Sequence, residues 1–194
     1  MDWDKAQEWE KKWWGDCTNT YGEETKQLHY AEKMGLQPIN DSKGVHFDLE
    51  GKSVLDIGGG AVSLLLKCTN FKYAKVTDPL PLPEWIKERY FAAGIQYIQD
   101  AGEVIHIPGE KFDEVWIYNV LQHTEDPARI IENSRNTGKI IRVFEWLEIG
   151  ISDGHIQNLT EKKMNEWLHG EGKVEVMNSQ LFRGKCYYGI FPTE

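Results

Sequence analysis

The sequence is poor in cysteine and contains no long apolar run. Its three cysteines, Cys17, Cys68 and Cys186, form no CxxC pair, so neither a zinc site nor a disulfide framework follows from them. Few thiols in an odd number fit a reducing compartment, and we expect a cytoplasmic protein. No apolar stretch approaches the ~20 residues of a membrane-spanning helix, and the charged N-terminal segment does not resemble a signal peptide. The sequence therefore predicts neither a metal site nor a membrane anchor.

Basic residues are also in the minority, with 22 lysines and arginines against 31 aspartates and glutamates, which gives a net charge of −9. Such a surface repels a polyphosphate backbone unless basic side chains gather on one face. The basic pairs Lys11–Lys12 and Lys162–Lys163 lie among glutamates and are typical of solvated helix faces. The sequence therefore argues against a nucleic acid partner. Its 194 residues suit one domain with a substantial core, and its oligomeric state is left open.

Residues 1–50 are predicted to form a helical extension that is not an independent domain. A helix over residues 2–14 carries apolar side chains at helical spacing, namely Trp3, Ala6, Trp9 and Trp13. A second helix is predicted over residues 23–34 and ends at Gly35. Such aromatic-rich helices either pack into the core or cover a ligand site as a lid, and the pattern leaves both interpretations open.

Residues 51–194 change to apolar strands that alternate with helices. Strands are predicted at residues 52–57, 73–78, 95–99, 112–119 and 138–146, with helices at residues 63–68, 83–93 and 126–136. This alternation is typical of a parallel sheet covered on both faces. After a helix at residues 160–168, two strands at residues 173–178 and 184–191 are expected to pair antiparallel and to give the sheet a reversed edge.

Polar residues follow the first four of these strands. Asp56 and three glycines, Gly58 to Gly60, end the first strand, and the next strands end at Asp78, Asp100 and Asn119. Each acid taken alone is equally well explained as a helix cap or a turn residue. Ligands of open α/β sheets bind beyond the carboxyl ends of the strands, so the four positions together indicate a binding site.

A dinucleotide is the first alternative for this site. Gly58 and Gly60 begin a GxGxxG pattern, and Asp78 follows at a distance where an acid meets a ribose. However, Ser63 replaces the third glycine, and Asp56 would bring a carboxylate next to the pyrophosphate. A nucleoside that carries an amino acid fits these residues better than a diphosphate.

The motifs resemble those of the class I S-adenosylmethionine-dependent methyltransferases. The resemblance is carried by "VLDIGGG" (54–60), "VTDP" (76–79), "IQDAGEV" (98–104) and "FDEVWIYNVLQHTEDPARII" (112–131), in the family's order. It implies an α/β fold with a seven-stranded, mostly parallel sheet, an antiparallel last strand and helices on both faces. The family usually has a glycine two places after Gly60, where this chain has Val62, so the backbone contacts of this loop are expected to differ.

The resemblance also implies a role for each matching position. Asp56 and the main chain of Gly58, Gly59 and Gly60 would hold the methionine end of S-adenosylmethionine. Asp78, followed by Pro79, would accept from the ribose hydroxyls, and Asp100 with the Ala101 amide would meet the adenine. Asn119 and Val120 would lie near the sulfonium and the amino group.

The methyl acceptor is predicted to be a small molecule, methylated on oxygen or nitrogen by in-line displacement. The first candidate for a base is His123, followed by His155, and the alternative for His123 is a hydrogen bond that fixes the loop. Expected pocket residues are Trp14, Tyr21, Tyr30 and Glu145, with a solvated strand end as the alternative for Glu145. The rival functions are methylation of a nucleic acid or protein, and cofactor binding without catalysis.

Overall fold

The computed structural model describes residues 3–18, 20–42, 44–105, 107 and 111–193. The helices are α1 (Trp3–Trp14), α2 (Tyr21–Lys33), α3 (Glu84–Ala92), α4 (Pro127–Thr137) and α5 (Glu161–Leu168). The strands are β1 (Pro38–Asp41), β2 (Gly44–Asp48), β3 (Ser53–Ile57), β4 (Cys68–Thr69), β5 (Tyr73–Thr77), β6 (Ile95–Ile98), β7 (Phe112–Tyr118), β8 (Gly138–Leu147), β9 (Lys173–Asn178) and β10 (Arg183–Pro192). Residue 2, which the predicted first helix included, lies outside the described residues.

The main sheet has seven strands in the order β6-β5-β3-β7-β8-β10-β9, which confirms the predicted fold class. The strands from β6 to β8 pair in parallel, and β10 runs antiparallel to both of its neighbours. The reversed strand was expected at the edge of the sheet. It lies instead between β8 and β9, because β10 pairs along eight residues with β8 on one side and along six with the shorter β9 on the other.

The two faces of the sheet are covered by different helices. Val54, Val76 and Trp116 share one buried cluster with residues of α2 and α3. Leu55 and Val115, one position away in each strand, pack with residues of α4 and α5 on the other face. Side chains alternate across a strand, so apolar side chains are favoured on both faces of the fully buried β3. Ser53 and Asp56 are the two exceptions within this strand.

Two local predictions were wrong. Residues 63–68 were expected to form a helix, but they form a four-residue 3-10 turn, Leu64–Lys67, capped by Ser63. The segment is too short for an α-helix, since β4 starts at Cys68. The end of the N-terminal extension is also not helical, because β1 and β2 form a hairpin that β4 joins in parallel.

The point where strand order reverses lies between β3 and β7. The chain leaves β3 toward β5 and β6 on one side and returns to β7 on the other, so the loops after β3 and β7 diverge and leave a crevice. Helices α1 and α2 lie over this crevice. Across the described residues, no helix is long and apolar enough to cross a bilayer.

Candidate active site at the carboxyl ends of the strands

A cavity of about 510 Å³ lies at the carboxyl ends of the central strands. Among the predicted cofactor residues, it is lined by Gly58, Gly59, Gly60, Asp78 and Pro79, and by Ala101, Asn119 and Val120. Among the predicted acceptor and base residues, it is lined by Trp14, Tyr30, His123 and His155. The structure therefore brings together residues from seven loops and helices that are far apart in the sequence.

The glycine turn after β3 is required by close packing. Gly58 has φ +73°, and a methyl group there would lie 2.7 Å from Cγ1 of Val120. Gly60 has φ +55° and lies under the ring of Trp14. Both φ values lie in the left-handed region that favours glycine. Because neither residue has a side chain, the main chain of this turn faces the cavity directly. The hydroxyl of Tyr90 donates to the Gly60 carbonyl at 2.8 Å and fixes the turn, a contact that the sequence pattern did not reveal.

Asp78 is the carboxylate that faces this turn. Its Oδ2 accepts from the Gly60 amide at 3.0 Å, and its Oδ1 accepts from the Leu80 amide at 2.9 Å. Burial raises the pKa of Asp78 to about 6, although these two hydrogen bonds lower it. A carboxylate offers about four acceptor positions, so the side chain can still accept from two further hydroxyls.

Asp56 lies beneath the glycine turn and does not line the cavity, which corrects the expected direct contact with the cofactor. Its Oδ2 accepts from the hydroxyls of Ser63 and Tyr118, each at 2.5 Å. Burial raises the pKa of Asp56 to about 7, against the effect of these hydrogen bonds. The side chain points into the face that contains Val54, because residues 54 and 56 share one side of the strand. Its observed role is to tie β3 to β7 and to the 3-10 turn.

Asp100 is exposed and does not line the cavity, so the expected contact with adenine is not supported for its side chain. The Ala101 amide already donates to Asp100 Oδ1 at 3.0 Å, because the chain turns sharply after β6. The cavity wall there is formed by the next residues, Ala101, Gly102 and Glu103. Glu103 was missed in the sequence, where its charge looks like that of any surface residue.

The turn after β7 is held from below by Glu145, which is fully buried and does not line the cavity. Its Oε1 accepts from the amides of Val120 and Leu121, each at 3.0 Å. The placement of Glu145 in the acceptor pocket was therefore wrong, as was the alternative of a solvated strand end. The turn carries Asn119, at φ +56°, and Val120 into the cavity.

The side chain of His123 contacts helix α1. Its Nδ1 lies 2.9 Å from Oε1 of Glu10 in α1 and 2.7 Å from the carbonyl of Gly154. Burial alone lowers the pKa of His123, but the hydrogen bond and charge of Glu10 outweigh burial and raise it above its ordinary value. A raised pKa favours the protonated ring, which cannot accept a further proton, so His123 fits the loop-fixing interpretation better than that of a base.

His155 has the opposite electrostatic setting. Its ring lies 4.8 Å from that of His123, and its Nδ1 is 3.3 Å from the Ser152 hydroxyl. Burial and the neighbouring His123 lower the pKa of His155, which favours the neutral ring. Of the two histidines that line the cavity, His155 is therefore the better proton acceptor, which reverses the predicted order. Within the described residues, no three histidine, cysteine or acidic side chains are grouped as a metal site.

Aromatic side chains form the rest of the wall. Trp14 of α1, Tyr30 of α2, Trp146 of β8 and Phe182 all line the cavity. Tyr21 does not, because it is 83% exposed at the start of α2, and its predicted place in the pocket was wrong. Trp146 and Phe182 were missed, since their sequence positions at a strand end and in a loop carry no pattern that points to a ligand.

The residues present fit S-adenosylmethionine. The turn at Gly58 and Gly60 offers main chain without side chains, and Asp78 offers a carboxylate with free acceptor positions. A nucleoside supplies hydroxyls that a carboxylate accepts, whereas a pyrophosphate would add negative charge beside Asp78. The glycine turn and the Asp78 carboxylate therefore favour a ligand with an adenosyl group and a sulfonium over a dinucleotide.

Comparison with known protein families gives a match over less than half of the chain. Residues 55–139 match a family described as a methyltransferase domain. No curated protein matches the sequence significantly.

Solved structures share the fold at low sequence identity. The N-methyltransferase NodS from Bradyrhizobium japonicum WM9, in complex with S-adenosyl-L-homocysteine, aligns with a TM-score of 0.60 and 15% identity over 90% of this chain and 89% of that chain. A complex of the Haloferax volcanii Trm112 methyltransferase activator with a methyltransferase gives a TM-score of 0.64 and 11% identity, over 93% of this chain and 96% of that chain. The 1,6-didemethyltoxoflavin-N1-methyltransferase from Burkholderia thailandensis aligns with a TM-score of 0.59 and 13% identity. The alignment covers 93% of this chain and 82% of that chain.

The family match and the strand order agree with the site geometry described above. Residues 55–139 thus match a methyltransferase domain, and the chain shares its fold with solved methyltransferases, among them structures in complex with S-adenosyl-L-homocysteine.

Proposed function

We propose that this protein is an S-adenosylmethionine-dependent methyltransferase that transfers the methyl group to an oxygen or nitrogen atom of a small-molecule acceptor. The observation that carries the proposal is one shared cavity, which combines the glycine turn and Asp78 with aromatic side chains from α1 and α2. A donor and an acceptor bound in one cavity can be held in line for transfer.

The cofactor half of the cavity is assigned by chemistry. The main chain of Gly58–Gly60 and the turn at Asn119 and Val120 would hold the methionine end, and Asp78 would accept from the ribose hydroxyls. Ala101 and its neighbours would line the adenine. When bound, S-adenosylmethionine supplies a methyl group activated by a positive sulfonium. The contribution of the chain is to bind, to align and to exclude water.

The enclosure of the cavity supports a small acceptor. Helices α1 and α2 cover the side opposite the sheet, and the volume of about 510 Å³ lies within the range of small-molecule sites. The net charge of −9 opposes nucleic acid binding. One solved relative is named for a small heterocycle that it binds, 1,6-didemethyltoxoflavin. The three free cysteines support a reducing compartment such as the cytoplasm.

Product identification tests the acceptor class. The protein is incubated with methyl-labelled S-adenosylmethionine and cell lysate separated into small-molecule, protein and nucleic acid fractions. We expect label in the small-molecule fraction only. Label in protein or tRNA would contradict the proposal. If no fraction is labelled although the cofactor binds tightly, the chain is a binding module without catalysis.

Calorimetry tests the cofactor assignment. Replacing Asp78 by alanine removes the acceptor of two ribose hydroxyls, and hydrogen bonds to a charged group contribute about 1.5–3 kcal/mol each. We expect affinity for S-adenosylmethionine to fall at least roughly 10-fold. The matched control is Asp100→Ala, since Asp100 is exposed and outside the cavity wall. Equal affinities of the two variants, with circular dichroism showing both folded, would contradict the ribose assignment.

A further inference from the structure

The cavity is rich in rings outside the residues assigned to the cofactor. Its lining there includes indole, phenol and phenyl side chains and the two histidines, next to aliphatic, polar and charged side chains such as Ile149, Gln27 and Lys26. On this basis we propose that the methyl acceptor is a planar aromatic compound with an acidic O–H or N–H group, whose proton passes to His155. The inference rests on the proposed function and specifies its substrate class.

The aromatic wall is rigid before any ligand binds. Tyr30 stacks on Phe144 with ring centroids 4.4 Å apart, and Trp146 packs edge-on against the same Phe144 at 5.3 Å. Trp146 also stacks against Phe182 at 6.2 Å. Side chains that are already ordered lose little conformational entropy on binding, and flat rings gain most from flat partners. This wall therefore favours a planar aromatic ligand over a flexible aliphatic one.

Polar substituents on the ring also find a partner. Gln27 of α2 lies on this wall, is 6% exposed, and its Oε1 has no hydrogen-bond partner among the described residues. An unpaired buried amide is costly, so native structures seldom leave one without a role. A donor group on the acceptor ring would satisfy it after a small rotation of the side chain.

His155 can take a proton in this position. With the Nδ1 hydrogen donated to the Ser152 hydroxyl, Nε2 keeps its lone pair, and no described residue hydrogen-bonds that atom. Burial lowers the pKa of His155, as does the neighbouring His123, whereas Glu10 raises it, and the net effect favours the neutral ring. A general base works best on a proton whose pKa is not far from its own. Phenols and the N–H groups of electron-poor heteroaromatic rings come closer to this condition than aliphatic alcohols, which hold the proton far more tightly.

The chemical step then balances. The acceptor's oxygen or nitrogen forms a bond to the methyl carbon while the carbon–sulfur bond breaks and its electron pair stays on the sulfur. The proton of the acceptor moves to Nε2 of His155 and is later released to solvent. No oxidant, reductant or metal ion is required.

Glu10 acts as a positioning residue for this base. It is within 2.9 Å of His123, whose Nδ1 also contacts the Gly154 carbonyl next to His155. Besides Glu10, the groups that act on His123 are Glu145 and Asp78. Trp9 packs directly on Gly154, where a methyl group would lie 2.6 Å from its ring. Two neighbouring residues of α1 therefore fix the loop that carries His155.

A spectroscopic binding experiment tests the acceptor class and needs no turnover. The full chain is titrated with 4-nitrophenol, whose absorbance distinguishes phenol from phenolate, and the pH midpoint of the bound probe is measured. We expect binding, with a midpoint at least one pH unit lower than in free solution. Cyclohexanol should not compete at tenfold higher concentration. Failure of 4-nitrophenol to bind, or equal competition by cyclohexanol, would overturn the aromatic assignment.

Variants separate the base from the binding wall. In His155→Asn we expect neutral 4-nitrophenol, measured at about pH 5, to bind within about threefold of the wild-type affinity, whereas the bound probe should ionise as it does in water. His46→Asn, at the distant hairpin, is the matched control and should behave as wild type. An unchanged midpoint in His155→Asn would overturn the role of His155. In Glu10→Gln, the NMR titration midpoint of His123 should fall by at least half a pH unit, and an unchanged midpoint would overturn the role of Glu10.

Cofactor binding distinguishes this inference from the proposed function. S-adenosylmethionine affinity should be retained within about threefold in His155→Asn. If wild-type protein binds the cofactor and methylates an aliphatic or non-ring acceptor, only the present inference fails. If wild-type protein does not bind the cofactor at all, the proposed function fails first.

Discussion

The buried carboxyl of Glu145 makes the stability of the protein depend on pH. Glu145 lies below the turn that brings Asn119 and Val120 to the cavity, and its Oε1 accepts from two amides. Replacement by glutamine keeps a carbonyl oxygen at this position but removes the ionisable group. The variant therefore tests the cost of burying the charge while leaving the hydrogen bonds in place.

The magnitude follows from the shift of the pKa. Burial raises the pKa of Glu145 to about 7, against 4.5 for an unburied glutamate, and the two amide hydrogen bonds offset only part of the burial. The folded state therefore binds the proton more tightly than the unfolded state. The stabilisation that this tighter proton binding adds to the free energy of unfolding is complete below pH 4.5, falls as the pH rises, and is lost above pH 7. At 1.36 kcal/mol for each pH unit it amounts to about 3 kcal/mol, of which roughly half is lost between pH 6 and 8.

Urea denaturation at pH 6 and pH 8 measures the effect, and both values lie above the isoelectric point near 5.2. The wild type should lose about 1.4 kcal/mol more free energy of unfolding over this interval than Glu145→Gln. Asp56 and Asp78 are present in both proteins, so their contributions cancel in the difference. Glu84→Gln, on an exposed helix end, is the control and should match the wild type. Equal losses in the wild type and in Glu145→Gln would refute the reasoning.

Three glycine variants test the packing of the site. Gly58→Ala should cost about 2–5 kcal/mol of stability in urea denaturation, from its left-handed conformation and the overlap with Val120, and a smaller loss would contradict the fixed turn. Gly22→Ala has open space within α2 and should raise stability by roughly 0.5 kcal/mol, so destabilisation there would show that the end of α2 is packed differently. Gly154→Ala should displace Trp9 and increase proteolysis within α1, and unchanged cleavage would show that α1 does not depend on this contact.

The sheet was predictable from the sequence because its pattern is local and strong. Runs such as residues 53–57 and 112–118 are apolar at nearly every position, and glycine, proline or acidic residues mark where each one ends. Helix caps such as Asp126, which accepts from the Arg129 amide, are equally visible. The hairpin of β1 and β2 was missed, since its four- and five-residue strands are mostly exposed and show little periodicity.

The direction in which an acidic side chain points was not predictable. Asp56, Asp78, Asp100 and Glu145 all stand at strand ends or next to them, yet only Asp78 lines the cavity. The alternation of side chains places Asp56 on the sheet face that α2 and α3 cover. The turn after β6 lets the Asp100 carboxylate accept a hydrogen bond from the Ala101 amide. These outcomes depend on packing against distant residues such as Tyr118, which the order of residues in the chain does not show.

The N-terminal helices belong to the site and not only to the core, although the sequence left both interpretations open. Trp14 lies over Gly60, Glu10 pairs with His123, and Trp9 packs on Gly154, so α1 contacts the glycine turn after β3 and the loops that carry His123 and His155 within two helical turns. Because one short helix makes all three contacts, a variant that loosens α1 should disturb the glycine turn and both histidine loops together. The N-terminal extension is therefore better described as part of the cavity wall than as core packing alone.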